Sequence, residues 1–219
     1  MVKRKINMKI YLLAAFFTMI IFFTGILLDR MLTNTKNELL INYIREIEEE
    51  QTNTQLEFLL LERAGKNNTC DLLDYEITTL GKTGEQTRIE VARYEESGKI
   101  YTKEFKDLKK KYTSLLIRNW LFFKEFKENC NSNMTIILYF YSNKYCNDCN
   151  QQGSVLTYMQ RKYPSIKVIS LDSDLDMNVM KLMKRLYDIK NVTKPVLIIN
   201  EKKYEGLKSR SDLEKILKL

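Results

Sequence analysis

Two cysteines three positions apart, Cys146 and Cys149, are the side chains best suited by type and spacing to do chemistry. They follow an apolar run, Thr135-Ile-Ile-Leu-Tyr-Phe-Tyr141, whose β-branched and aromatic residues predict a buried strand. From Asp148 to Tyr163 the pattern predicts a helix halted by Pro164. A C-x-x-C at such a junction puts its first sulfur at a helix N-terminus. Free N–H groups and the helix dipole there stabilise a thiolate, the nucleophile of disulfide exchange. The second sulfur is expected one turn inside the helix, within reach of a mixed disulfide formed at the first. Lys144 favours the Cys146 thiolate and Asp148 opposes it by like-charge repulsion, so these two are the expected tuners of redox poise.

The remaining composition narrows the chemistry further. The chain has 219 residues and no histidine, which removes Cys-His and Ser-His nucleophile pairs and His-ligated metal sites. Asn150 follows Cys149, so C-x-x-C-H haem attachment is excluded as well. A four-thiolate zinc site would have to draw in Cys70 and Cys130, which lack C-x-x-C spacing of their own. Neither a metal nor another cofactor is expected. The formal charge is +8, yet basic and acidic residues number 5 and 1 over 1–30, 16 and 18 over 31–133, and 15 and 9 over 134–219. No single basic stripe results, so solvated mixed-charge faces are favoured over a nucleic-acid footprint.

The elements that must carry these cysteines begin with an apolar one. Ile10 to Leu28 is an uncharged run of 19 residues, about 28 Å long as a helix and close to the ~30 Å hydrocarbon core. Lys3, Arg4, Lys5 and Lys9 precede it, so the positive-inside rule leaves the N-terminus cytoplasmic and everything beyond Leu28 outside. A cleaved signal peptide fits less well, because the run is long and Gly25-Ile-Leu-Leu-Asp29 lacks a small-x-small cleavage site. The expectation is a single-pass cell-membrane anchor over 1–30, with all four cysteines outside the reducing cytosol, where disulfides persist. Asn67, Asn133 and Asn191 begin N-x-T sequons, which an Asn-rich chain produces by chance.

Residues 31–133 predict a helical extracytoplasmic spacer. Leu40, Ile44, Ile47, Gln51, Thr54, Phe58 and Leu61 follow heptad steps between residues 34 and 64. Packing on the same chain is favoured over a coiled-coil homodimer through that stretch. Gly65-Lys-Asn-Asn-Thr69 is expected to break the helix. A second helix follows from Cys70 to about Glu96, with an interruption expected near Gly81 and Gly84, and a third from about Tyr101 to Lys127. Ser97-Gly98 is the turn between them. Cys70 lies 28 residues before Gly98 and Cys130 lies 32 after it, so antiparallel arms bring both to one end of the hairpin. A structural Cys70–Cys130 disulfide is expected, rather than an electron relay to Cys146 and Cys149.

Beyond Pro164, Ile166–Leu171 predicts a second strand, Leu175–Tyr187 a helix, and Val196–Ile199 a third strand opened by Pro195. Asp172, Asp174 and Asp176 lie in a polar turn that lacks the Gly and distant Glu of a calcium loop. Lys202–Tyr204 predicts a hairpin partner ending near Gly206, and Ser211 is expected to cap a last helix through Leu219.

This β-α-β-α-β-β-α order, with C-x-x-C after its first strand, resembles the thioredoxin-like superfamily over about residues 134–219. The expected fold class is therefore α/β: a central sheet flanked by helices, preceded by the membrane helix and the helical hairpin. The resemblance implies a nucleophilic Cys146 and a resolving Cys149. It also implies a cis Pro195 opposite them, a substrate strand docking on the Lys194 backbone beside Pro195, and a Gly206 that follows the terminal hairpin. Three features depart from the family pattern: the Asn147-Asp148 dipeptide, Lys194 before the proline, and Tyr139 or Phe140 where thioredoxins bury a carboxylate. They bear on rate and poise rather than on fold. The implied function is thiol–disulfide oxidoreduction on a protein substrate, with a recycling partner the residues do not identify. The competing expectation is a non-catalytic binding or scaffold module in which Cys146–Cys149 is a structural staple.

Overall fold

The computed structural model describes residues 8–63 and 66–219; Lys3, Arg4, Lys5 and Gly65, the first residue of the expected helix break, lie outside the described residues. The chain divides into two compact units, 1–46 and 47–219. Helix α1 (Met8–Arg63) contains the apolar stretch Tyr11–Arg30, which is long and apolar enough to cross a membrane, with every side chain exposed. Of the heptad positions, the side chains of Leu40, Ile47, Gln51, Thr54 and Phe58 lie outside the described residues.

The second unit is a mixed α/β structure. Helices α2 (Lys66–Glu96) and α3 (Lys103–Asn129) form the expected hairpin. At its turn Gly98 adopts φ +70°, a left-handed conformation that glycine takes without steric cost. Thr102 caps α3 by accepting the Phe105 N–H at 3.2 Å. Leu61, Leu73, Leu80, Leu115 and Phe122 build the core of this region. The expected interruption of α2 at Gly81 and Gly84 does not occur. Each glycine costs a helix about 1 kcal/mol, less than full burial of a single leucine such as Leu73 or Leu80 returns.

The sheet consists of β1 (Thr135–Tyr141), β2 (Ile166–Asp172), β3 (Val196–Ile199) and β4 (Lys202–Glu205), in the order β2-β1-β3-β4. β2 runs parallel to β1, and β3 runs antiparallel to both β1 and β4. Side-chain alternation divides the strands between two cores. Leu138, Phe140, Val196 and Ile198 face α3 through Ile117, Trp120 and Phe123, and face α5 (Asn178–Leu186) through Met180 and Met183. Ile137, Tyr139, Leu197 and Ile199 face α4 (Cys149–Lys162) and α6 (Arg210–Leu217) through Leu156, Met159 and Leu213. With both faces covered, β1 and β3 read as continuous apolar runs. The third helix is thus a layer of the sheet's own core as well as an arm of the hairpin.

Three helices, α2, α5 and α6, start away from the expected residues. α2 begins at Lys66 rather than Cys70, so residues 66–69 of the expected break are helical. α5 begins at Asn178 rather than Leu175, because Asp172 first closes a turn with the N–H groups of Asp174 and Leu175. α6 is capped by Ser209, not Ser211. The Ser209 hydroxyl accepts the Asp212 N–H, while the Asp212 carboxylate accepts the Ser209 N–H, a reciprocal capping box.

Candidate thiol–disulfide site

β1 delivers the chain to a short loop, Ser142–Asp148, and α4 receives it at Cys149. Cys146 and Cys149 are joined as a disulfide with Cα atoms 5.5 Å apart. Their exposure is unequal. Cys149 is buried, Cys146 is half-buried, and its neighbours Lys144, Tyr145, Asn147 and Asp148 are all exposed. One refinement concerns the helix boundary: Cys149 is the first residue of α4 instead of lying a turn inside it, and Cys146 sits in the turn just before. The cause is the backbone at Asp148, which is the N-cap and whose carbonyl accepts the Gln152 N–H. The Asp148 side chain makes no capping hydrogen bond, so its charge stays exposed beside the cysteines.

Beneath the disulfide lie two tyrosines rather than a carboxylate. The Tyr139 hydroxyl donates to the Cys149 carbonyl at 2.5 Å, and its ring centroid is 5.6 Å from that of Tyr141. Burial pushes both phenols above their ordinary range, and at Tyr141 the nearby Asp172 and Glu95 charges push the same way. Both rings are therefore neutral at neutral pH, and Tyr139 acts as a hydrogen-bond donor to the start of α4.

Pro195 is buried and Lys194 exposed. Because Val196 pairs with Phe140, Pro195 stands level with Tyr141, at the same end of the sheet as the cysteines. Among the described residues no peptide bond is cis, so the Lys194–Pro195 bond is trans, contrary to the expectation carried by the resemblance. Trans is the lower-energy isomer of an X-Pro bond by about 0.5–1 kcal/mol, and a residue just ahead of a strand owes the ladder no N–H. The Pro195 carbonyl accepts the Gly206 N–H at 2.8 Å, and Gly206 holds φ +80°.

Cys70 and Cys130 are joined to each other across the base of the hairpin, with Cα atoms 5.6 Å apart. Among the described residues there are no free cysteines and no cluster of Cys, Asp or Glu arranged to hold a metal ion.

The structure also gathers polar residues that spacing alone did not single out. The Asp174 carboxylate accepts from the Ser142 hydroxyl and from the N–H groups of Asn143 and Lys144. Asp172 forms an ion pair with Lys109 of α3 at 2.8 Å, both side chains being about nine-tenths buried. A signal for Lys109 was present: it is a charge inside the apolar stripe of Phe105, Leu108 and Tyr112.

No family model matches the chain, and no curated protein matches it. Among solved structures, one is described as a malarial protein and another as thioredoxin-2, a component of malaria parasite protein secretion machinery. Each is 24% identical with a TM-score of 0.32 and covers 39% of this chain, and the aligned part spans 96% and 82% of those two chains respectively. At that TM-score neither likeness carries weight for what this chain does.

Proposed function

We propose that this chain is a membrane-anchored, extracytoplasmic thiol–disulfide oxidoreductase whose thioredoxin-like part, residues 134–219, works through Cys146 and Cys149. The observation that carries the reading is the unequal exposure of the two joined sulfurs at the mouth of α4. An exchange site needs one sulfur a substrate can reach and one it cannot, so that the second is kept for resolution.

In the reducing direction the Cys146 thiolate attacks one sulfur of a substrate disulfide, forming a mixed disulfide and releasing the other substrate sulfur as a thiolate. The Cys149 thiolate then attacks the Cys146 sulfur and releases the second substrate thiolate. Two electrons have passed to the substrate, and the chain is left with the Cys146–Cys149 bond. A dithiol donor resets it, and the same steps run backwards oxidise a substrate dithiol. Lys194 and Pro195 lie just ahead of β3, at the end of the sheet that carries the cysteines, where the Lys194 backbone would meet an extended substrate. Tyr139, donating to the Cys149 carbonyl, orients the start of α4.

The Tyr11–Arg30 stretch supplies the anchor in this reading, and the cationic residues ahead of it support a topology with the thiols on the oxidising side. The test is reduction of insulin disulfides by dithiothreitol. Wild type should accelerate it and Cys146→Ser should not. Equal rates for the two would favour the scaffold reading, with Cys146–Cys149 an inert staple.

A further inference from the structure

We propose that Asp174 and the buried Lys109–Asp172 pair are positioning residues for the loop that presents Cys146, which makes the tip of the helical hairpin a working part of the exchange site. This role presupposes only that Cys146 and Cys149 cycle between dithiol and disulfide, the first premise of the exchange reading.

The chain of contacts is continuous. Lys109 Nζ of α3 lies 2.8 Å from Asp172 Oδ2 at the end of β2 and 3.4 Å from Glu95 Oε1 at the end of α2. Asp172 Oδ2 also accepts from the Asn143 side-chain amide at 3.4 Å, and Asp172 Oδ1 accepts the Asp174 N–H at 3.0 Å. The Asp174 carboxylate then accepts from the Ser142 hydroxyl at 2.8 Å, the Asn143 N–H at 3.0 Å and the Lys144 N–H at 3.2 Å. Ser142 Oγ accepts the Tyr145 N–H at 3.0 Å. Every residue from Ser142 to Tyr145 is held, and the bonding stops one residue short of Cys146.

Fastening α3 to the sheet does not call for charge. Two apolar side chains of similar volume would hold the helix at least as well, because burying both ions costs desolvation. What the ion pair adds is a carboxylate with oxygens left over for Asn143 and Asp174. Asp174 in turn places a negative charge against the backbone that leads into Cys146.

Both consequences for redox poise have the same sign. In the oxidised chain the disulfide itself restrains the loop, whereas in the dithiol the loop's position depends more on the clamp. Loosening the clamp lowers the effective concentration of one thiol at the other. Removing the Asp174 charge also relieves repulsion on a Cys146 thiolate. Each change favours the reduced form and makes the couple more oxidising.

The experiment equilibrates the full chain in detergent micelles with glutathione buffers. The dithiol passes two electrons and two protons to glutathione disulfide, giving the Cys146–Cys149 bond and two glutathione thiols. Asp174→Ala should lower the equilibrium constant about tenfold, the scale of one charge-assisted hydrogen bond, or about 30 mV for this two-electron couple. Asp174→Asn keeps the shape and an acceptor oxygen, and should shift it the same way by less. The double variant Lys109→Met/Asp172→Leu removes the pair without stranding a lone charge, and should shift it at least about threefold. Cys70→Ser/Cys130→Ser frees the opposite end of the hairpin and should leave the constant within about twofold of wild type. Circular dichroism identifies the folded variants, and Asp174→Asn carries the test if Asp174→Ala does not fold. Constants within about twofold of wild type in folded Asp174→Asn and Lys109→Met/Asp172→Leu would overturn the proposal. Insulin reduction is read separately: a chain that equilibrates with glutathione but leaves insulin intact refutes the catalytic reading alone.

Discussion

Replacing Cys70 and Cys130 together by serine opens a covalent loop that spans 60 residues and encloses nearly the whole α2–α3 hairpin. In the chain-entropy model, closing a loop of that length removes about 4 kcal/mol of conformational freedom from the denatured chain. The folded hairpin loses little, because Leu73, Leu80, Leu115 and Phe122 are essentially fully buried and remain packed. A denatured chain that keeps some helical structure would reduce the figure, so about 4 kcal/mol is an upper value. For a unit of this size, 1 kcal/mol moves Tm by about 2–4 °C, and a drop of about 8–16 °C is expected. The assay is a thermal melt followed by far-ultraviolet circular dichroism on the full chain in detergent, with insulin reduction measured in parallel. Activity should survive, since the disulfide sits at the base of the hairpin and the clamp at its tip. A Tm change below about 2 °C would refute the loop-entropy reasoning. Loss of exchange activity in the still-folded double variant would refute the purely structural role and point to an electron relay.

Other expectations follow from the same structure. Burial raises the phenols of Tyr139, Tyr141 and Tyr187 and pushes Tyr112 up to about 12, so the folded chain keeps protons that the unfolded chain releases near pH 10. Their contribution is complete below about pH 10 and is lost as pH rises through the folded values; urea midpoints at pH 8 and 11 check this, and equal midpoints would contradict it. Replacing the uncapped, exposed Asp148 with Pro or His should lower the Cys146 pKa and raise the potential from an expected value of about −200 mV or lower; thiolate absorbance titrations read the first effect directly, and identical curves would absolve Asp148. Protease added to intact cells or spheroplasts should digest the chain beyond Leu28, and a protected C-terminal region would reverse the assigned topology.

What the sequence discloses depends on how local its cause is. β1 and β3 are legible because strands buried on both faces are continuous apolar runs, and their observed bounds match the sequence pattern. The Ser97-Gly98 turn is legible because Gly98 supplies a left-handed conformation within a few residues. α5 and α6 begin elsewhere than expected because hydrogen bonds from Asp172 and Ser209 decide where each helix starts, and several neighbouring polar residues compete for such a role. The cysteine spacing locates the candidate site but not its support. Lys109 and Asp172 are 63 residues apart, and only the docking of α3 on the sheet brings them within 2.8 Å. The missing carboxylate is visible in the sequence at Tyr139 or Phe140; the hydrogen bond from Tyr139 to Cys149 depends on the register of α4 over β1.

The most direct measurement of the central claim is capture of the mixed disulfide. The full chain carrying Cys149→Ser, reduced and then mixed with disulfide-bonded insulin, should retain insulin on Cys146 through one mixed disulfide, because the resolving sulfur is gone. Peptide mass spectrometry should find that adduct on Cys146, and dithiothreitol should release it. In the double variant Cys146→Ser/Cys149→Ser no such adduct should form. A folded Cys149→Ser chain that yields no Cys146 adduct would contradict the claim that Cys146 is a nucleophile for protein disulfides.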